Sequence, residues 1–120
     1  MATNTKTSAV AVCHCFSENN HDRNSSEIYV ELMDYMFRAC GARNVERVLS
    51  VSIIRNTEMG LTAVLGEHDL SIKFEAADGI DRGIHVDIRN RYAVLFGDCF
   101  TREQKQLIDG ICEICRCERF

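Results

Sequence analysis

Apolar positions along this chain change period several times, and each change marks an element. From Ser8 to Phe16 (SAVAVCHCF) the run is β-rich and apolar on both faces, as expected of a central strand under a helix layer. A polar stretch, residues 17–24, separates it from a segment of helical period. There Ile28, Leu32 and Met36 stand beside Tyr29, Met33 and Phe37 at i, i+4, i+8, a two-residue-wide stripe that predicts an amphipathic helix from Ser25 to about Cys40. Asn24 with Glu27 resembles a capping box at its start, and Gly41 stands where a helix of that length stops.

The period then falls to two. Val45, Val48, Val51, Ile53 and Ile54 give the segment Asn44 to Arg55 the β-branched bulk of a strand. Leu61, Ala63 and Leu65, then Leu70, Ile72 and Phe74, alternate with more polar residues across the turn Gly66-Glu67-His68-Asp69, which predicts a hairpin. Residues 76–83 carry two glycine turn signals and read as a loop. Residues 84–88 and 92–96 are strands again. Thr101 with Gln104 opens a last helix whose apolar side holds Leu107, Ile108, Ile111 and Ile114. Sequential strands with short turns favour antiparallel pairing. The fold class expected is α+β: a two-layer sandwich, with an antiparallel sheet of about five or six strands and two helices on one face.

Composition changes this picture little. At 120 residues there is room for one domain, 1–120, with 1–7 as a flexible tail. A net charge of −4 with scattered Lys and Arg argues against a nucleic-acid partner. No apolar run reaches membrane-spanning length. The polar N-terminus lacks the apolar core of a signal peptide, so a cytoplasmic protein is expected. Seven cysteines, an odd number, then argue against a disulfide framework.

Candidate chemistry gathers in the hairpin. Glu67, His68 and Asp69 crowd three titratable groups into one turn, where a carboxylate beside an imidazole suits acid–base work. The competing reading is a solvated turn. Ser71, Lys73 and Glu75 share one strand face, as do His85, Asp87 and Arg89; each set either lines a pocket or makes an ordinary polar face. His14, between two cysteines on an apolar strand, reads as a satisfied buried histidine. Cys112-x-x-Cys115-x-Cys117 with Cys13-His14-Cys15 offers donors for tetrahedral zinc, but these lie in regular elements, and buried small hydrophobes explain most of them. No metal is expected. Cys115 and Cys117, near a polar end, read as exposed thiols.

From Phe16 to Gly97 the chain resembles the small prokaryotic S-adenosylmethionine decarboxylases. Glu67-His68-Asp69-Leu70-Ser71-Ile72-Lys73 lines up with that family's E-S-H-L-[ST]-I-H stretch. Val48-Leu-Ser-Val-Ser52 matches its V-x-S strand, and Val86-Asp87-Ile88 its V-D-[VI] strand. The family's self-processing serine, source of its pyruvoyl group, is replaced by His68, so no pyruvoyl cofactor is expected. A second resemblance is to phage-type S-adenosylmethionine lyases, carried by Phe16-Ser-Glu-Asn-Asn20 with Arg23-Asn24 and by Glu67. Together these imply a homo-oligomeric protein that binds, and cleaves by a lyase route, S-adenosylmethionine or a close relative. Glu67 and His68 would be catalytic; Asp69, Ser71, Lys73, Glu75, Arg23 and Asn20 would bind substrate. The alternatives are a non-catalytic metabolite- or protein-binding paralogue and a zinc-binding protein.

Overall fold

The computed structural model describes residues 12–75 and 78–117. Among them the elements run β1 (Val12–Cys15), α1 (Glu18–His21), α2 (Ser25–Cys40), a 3-10 turn (Ala42–Asn44), β2 (Val45–Val48), β3 (Val51–Asn56), β4 (Leu61–Leu65), β5 (Asp69–Phe74), β6 (Arg82–Asp87), β7 (Tyr92–Phe96) and α3 (Arg102–Cys115). The seven strands form one antiparallel sheet in the order β1-β7-β6-β5-β4-β3-β2. This is the expected α+β sandwich, with one strand more than the upper expectation and a short extra helix.

The extra strand arises because the segment Asn44 to Arg55 folds back on itself. Leu49 takes φ 57° and stands 94% exposed, and Val48 pairs with Val51 across that two-residue turn. β1 is not central: it is an edge strand, paired only with β7. The tail 1–7, residues 8–11 of the expected first strand and residues 76–77 of the expected loop lie outside the described residues. Arg82, expected in that loop, begins β6 and is buried, held by Asp78 at 2.8 Å.

Both long helices begin as their sequences suggest. Asn24 Oδ1 accepts from the Glu27 N–H at 2.9 Å, and Thr101 and Gln104 form a reciprocal capping box. They lie on one face of the sheet. Ile28, Leu32 and Met36 of α2, and Leu107, Ile108 and Ile111 of α3, meet Leu61, Ala63, Leu65, Leu70, Ile72, Phe74, Ile84 and Val86 in a single core. Phe74 also packs edge-on against Phe100, with centroids 6.0 Å apart. Helix meets helix where Tyr35 of α2 donates to the carbonyls of Gln106 and Leu107; Gly110 leaves it room, since a Cβ there would stand 2.1 Å from the Tyr35 hydroxyl.

The other sheet face carries no element among the described residues. Its side chains are those that alternate with the core set, and cross-strand register arranges them in rows. Arg55, Thr62, Lys73, Gly83 and Phe96 form one row. Ile53, Val64, Ser71, His85 and Val94 form the next. Asp69, Asp87, Tyr92 and Cys15 form a third.

Candidate functional site

The open face decides where the residues singled out by sequence stand. β5 pairs with β4 on one side and β6 on the other, and its odd-numbered residues Asp69, Ser71 and Lys73 all point away from the helices. Their neighbours across the ladder are Asp87, His85 and Gly83. Ser71 Oγ lies 2.8 Å from His85 Nδ1, and Lys73 Nζ lies 3.5 Å from an Asp81 carboxylate oxygen. These contacts are solvated, and an exposed ion pair of this kind contributes less than about 1 kcal/mol.

A groove of about 250 Å3 lies here, lined by Thr62, Val64, Ser71, Ile72, Lys73, Ile84, His85 and Phe96. Gly83 lets its wall close up: a Cβ there would stand 1.9 Å from the Ile72 carbonyl oxygen and 2.9 Å from the Phe96 ring. The groove is mostly carbon-walled, with Ser71, His85 and Lys73 as its polar edge. Thr62, Val64 and Phe96 were not among the residues singled out by sequence. They come from strands flanking β5 and β6, and only the register brings them in.

Asp87 closes the far row. Burial raises its pKa, but the Asn90 backbone N–H and side-chain amide, both 2.9 Å away, outweigh that and hold the carboxyl below the usual aspartate range. The adjacent turn is held by the Gly66 N–H donating to the Asp69 carbonyl and the Ile88 N–H donating to the His68 carbonyl. Glu67 and His68 project from it into solvent. Glu75 lies one residue past the opposite end of β5, exposed. Arg89 is exposed in the turn after β6.

Asn20 and Arg23 belong to another place. Asn20 is fully buried, and its amide donates to the Cys115 carbonyl at 2.8 Å. Arg23 donates to Asn20 Oδ1 and the Ile114 carbonyl, and pairs with Glu31. Its own carbonyl accepts from Arg91 Nη2 at 2.6 Å. A larger cleft of about 370 Å3 lies beside it between α2 and α3, lined by Glu31, Tyr35, Arg38 and Glu113 among others. Three of its wall groups are already engaged: Arg23 with Glu31, Tyr35 with the α3 backbone, and Arg38 with Asp34 inside α2. The structure thus brings Asp69, Ser71 and Lys73 onto one face, sets Glu67, His68 and Glu75 at its ends, and makes Asn20 and Arg23 part of the helix docking.

The cysteines divide by burial: Cys40 is buried as a small hydrophobe, Cys117 is half-buried, and Cys99 and Cys15 are exposed, so the burial expected of Cys15 does not hold. Cys112 and Cys115 are buried, so the expected exposure of Cys115 does not hold. The Cys112 thiol draws the Cys117 pKa down, but Cys115 and burial push it up to about 12, leaving it protonated at neutral pH. His14 is buried on the helix side. Among the described residues no group of three or more His, Cys, Asp or Glu could hold a metal ion. The Cys13 side chain lies outside that description. No helix among the described residues is long and apolar enough to cross a membrane.

No protein-family model matches this chain, and neither the curated proteins nor the solved structures contain a match to it.

Proposed function

We propose that this chain is a ligand-binding module whose site is the groove on the open sheet face, with S-adenosylmethionine or a close relative as the ligand class. One observation supports this above the rest: β5 lays Lys73, Ser71 and Asp69 in line, with Phe96 and Val64 as apolar surface beside them. Lys73 and Asp69 stand four residues apart, about 13 Å along a strand. A metabolite carrying a carboxylate and, a few carbons away, a sulfonium would set the carboxylate toward Lys73 and the cation toward Asp69. Phe96 supplies aromatic surface for a purine. At about 250 Å3 the groove is just below the roughly 300 Å3 at which enclosed ligand sites begin, which suits a partly solvated ligand held weakly.

Binding is favoured over cleavage because Glu67 and His68 stand in open solvent at the tip of the turn. There, the electrostatic gain of a water-excluded site is lost. A lyase route would need only the substrate's own carboxylate to form a C–O bond as the carbon–sulfur bond breaks, releasing methylthioadenosine and homoserine lactone. Equilibrium dialysis with S-adenosylmethionine, followed by mass spectrometry of the ligand, tests both. Saturable binding of unchanged ligand is expected, weakened about 10-fold or more in Lys73→Ala and Phe96→Ala, which corresponds to about 1.4 kcal/mol or more. No binding at millimolar ligand would sink the proposal. Release of methylthioadenosine, lost in Glu67→Gln, would replace it with the lyase reading.

A further inference from the structure

Leu49 is strained and exposed at once. It carries the turn between β2 and β3 at φ 57°, in the left-handed region that Gly or Asn occupies more cheaply, and it is 94% exposed. At that exposure it adds nothing to the core, so the fold itself does not repay the strain. Beside it, on the open face, Val48 pairs with Val51, and Ile53 pairs with Val64 one row further in. Val48 and Val64 are 44% and 42% exposed. The β4–β5 turn, with Glu67 and Asp69 exposed, lies at the same end of the sheet as Leu49. We infer that this corner docks a basic amphipathic helix of a partner protein, with Leu49 entering the apolar stripe of that helix.

Shape and charge select that occupant. The apolar residues lie on β2, β3 and β4, a width of about 14 Å at about 4.8 Å per strand. A helix is about 10–12 Å across, so the patch seats one helix and is too narrow for a second sheet. Helical spacing also gathers apolar side chains at i, i+3, i+4 and i+7 into one stripe, the shape that a flat aliphatic patch receives. Cations bordering the patch are met within the chain: Arg55 by Glu46 at 3.6 Å and Lys73 by Asp81 at 3.5 Å. Arg47 lies on the other face of β2, opposite the buried Ser52. Among the described residues Glu67 and Asp69 form no ion pair, so they are the charges left for a partner. They favour Lys or Arg along the flank of the helix, and they repel an acidic helix or an anionic lipid surface.

Size sets the strength. Five aliphatic side chains make a contact at the small end of protein interfaces, so a dissociation constant of about 10–100 μM is expected. Of the residues that line the groove only Val64 belongs to the patch. The docking therefore does not rest on the ligand reading and is measured on ligand-free protein.

Fluorescence anisotropy tests it, with the full chain titrated into a labelled peptide of Leu and Lys patterned as an amphipathic helix of about four turns. Saturable one-to-one binding is expected, and none to the same pattern built from Leu and Glu. Leu49→Asn should weaken binding about 10-fold or more while raising the urea midpoint, because Asn accepts the left-handed turn more readily. Phe96→Ala, which strikes the groove, should leave peptide affinity unchanged and so keeps the two proposals separable. Equal binding of both peptides, no binding at about 500 μM protein, affinity unchanged in Leu49→Asn, or a urea midpoint lowered by it would each overturn the proposal. Self-association in sedimentation velocity that Leu49→Asn abolishes would assign the patch to a second copy instead. Co-sedimentation with phosphatidylcholine–phosphatidylglycerol vesicles, abolished by the same variant, would assign it to a lipid surface.

Discussion

The same strands build two faces that are held in different ways. On β5, Leu70, Ile72 and Phe74 are essentially sealed from water while Asp69, Ser71 and Lys73, one residue removed, are exposed. The helix side is fixed by volume. Its side chains interdigitate with two helices, so each has one place to be. The open side is fixed by the ladder beneath it, and its side chains make solvated contacts that can be exchanged. Stability therefore resides on the helix face, while the open face keeps exchangeable groups in reach of solvent, with a single register serving both.

The sharpest way to break that contrast is to truncate both faces. Phe74→Ala should lose about 3–5 kcal/mol in urea denaturation, while Val64→Ala should change stability by only about 0.5 kcal/mol. Equal losses would show that the open face is packed after all. Gly83→Ala comes next. A methyl group there meets the Ile72 carbonyl, so β5 and β6 must part, at about 2–3 kcal/mol. Asn20→Ala should lose about 1–2 kcal/mol by leaving the buried Cys115 carbonyl without its donor. Ligand affinity should stay unchanged in that variant, which separates helix docking from the groove. The smallest effect concerns Asp87. Its folded pKa lies below the unfolded value, so its stabilisation is present above the ordinary aspartate range and lost as pH falls through the depressed value. Asp87→Asn should flatten the acid end of a plot of urea midpoint against pH, leaving the neutral end lower.

Local pattern carried most of the fold. The stripe from Ile28 to Phe37 located α2, and the alternation on either side of Gly66 located the hairpin, because both signals come from residues that meet the same core. Two features were hidden for physical reasons. The break at Leu49 has no Gly, Pro or Asn to announce it, and a leucine carries the left-handed turn. The edge position of β1 depends on pairing with β7, a partner most of the chain away, which no local window contains. Arg82 looked like a loop residue because its companion, Asp78, is needed to make burial of a guanidinium tolerable. For the site, period two gave Ser71 and Lys73 on β5 and His85 on β6, and the turn reading gave Asp69. The rest, Thr62, Val64 and Phe96, follows only once three ladders fix the register.

That long-range pairing of β1 has a kinetic consequence. From β2 to β7 every strand pairs with its sequence neighbour, so the meander can zip up through a series of short loop closures. β1 alone must wait until β7 exists. It should dock late in folding and open early in local unfolding, with its amides exchanging hydrogen faster than those of β5 at the middle of the sheet. Each such opening bares the edge of β7 and takes His14 out of its buried place, without disturbing the ladder that carries the groove.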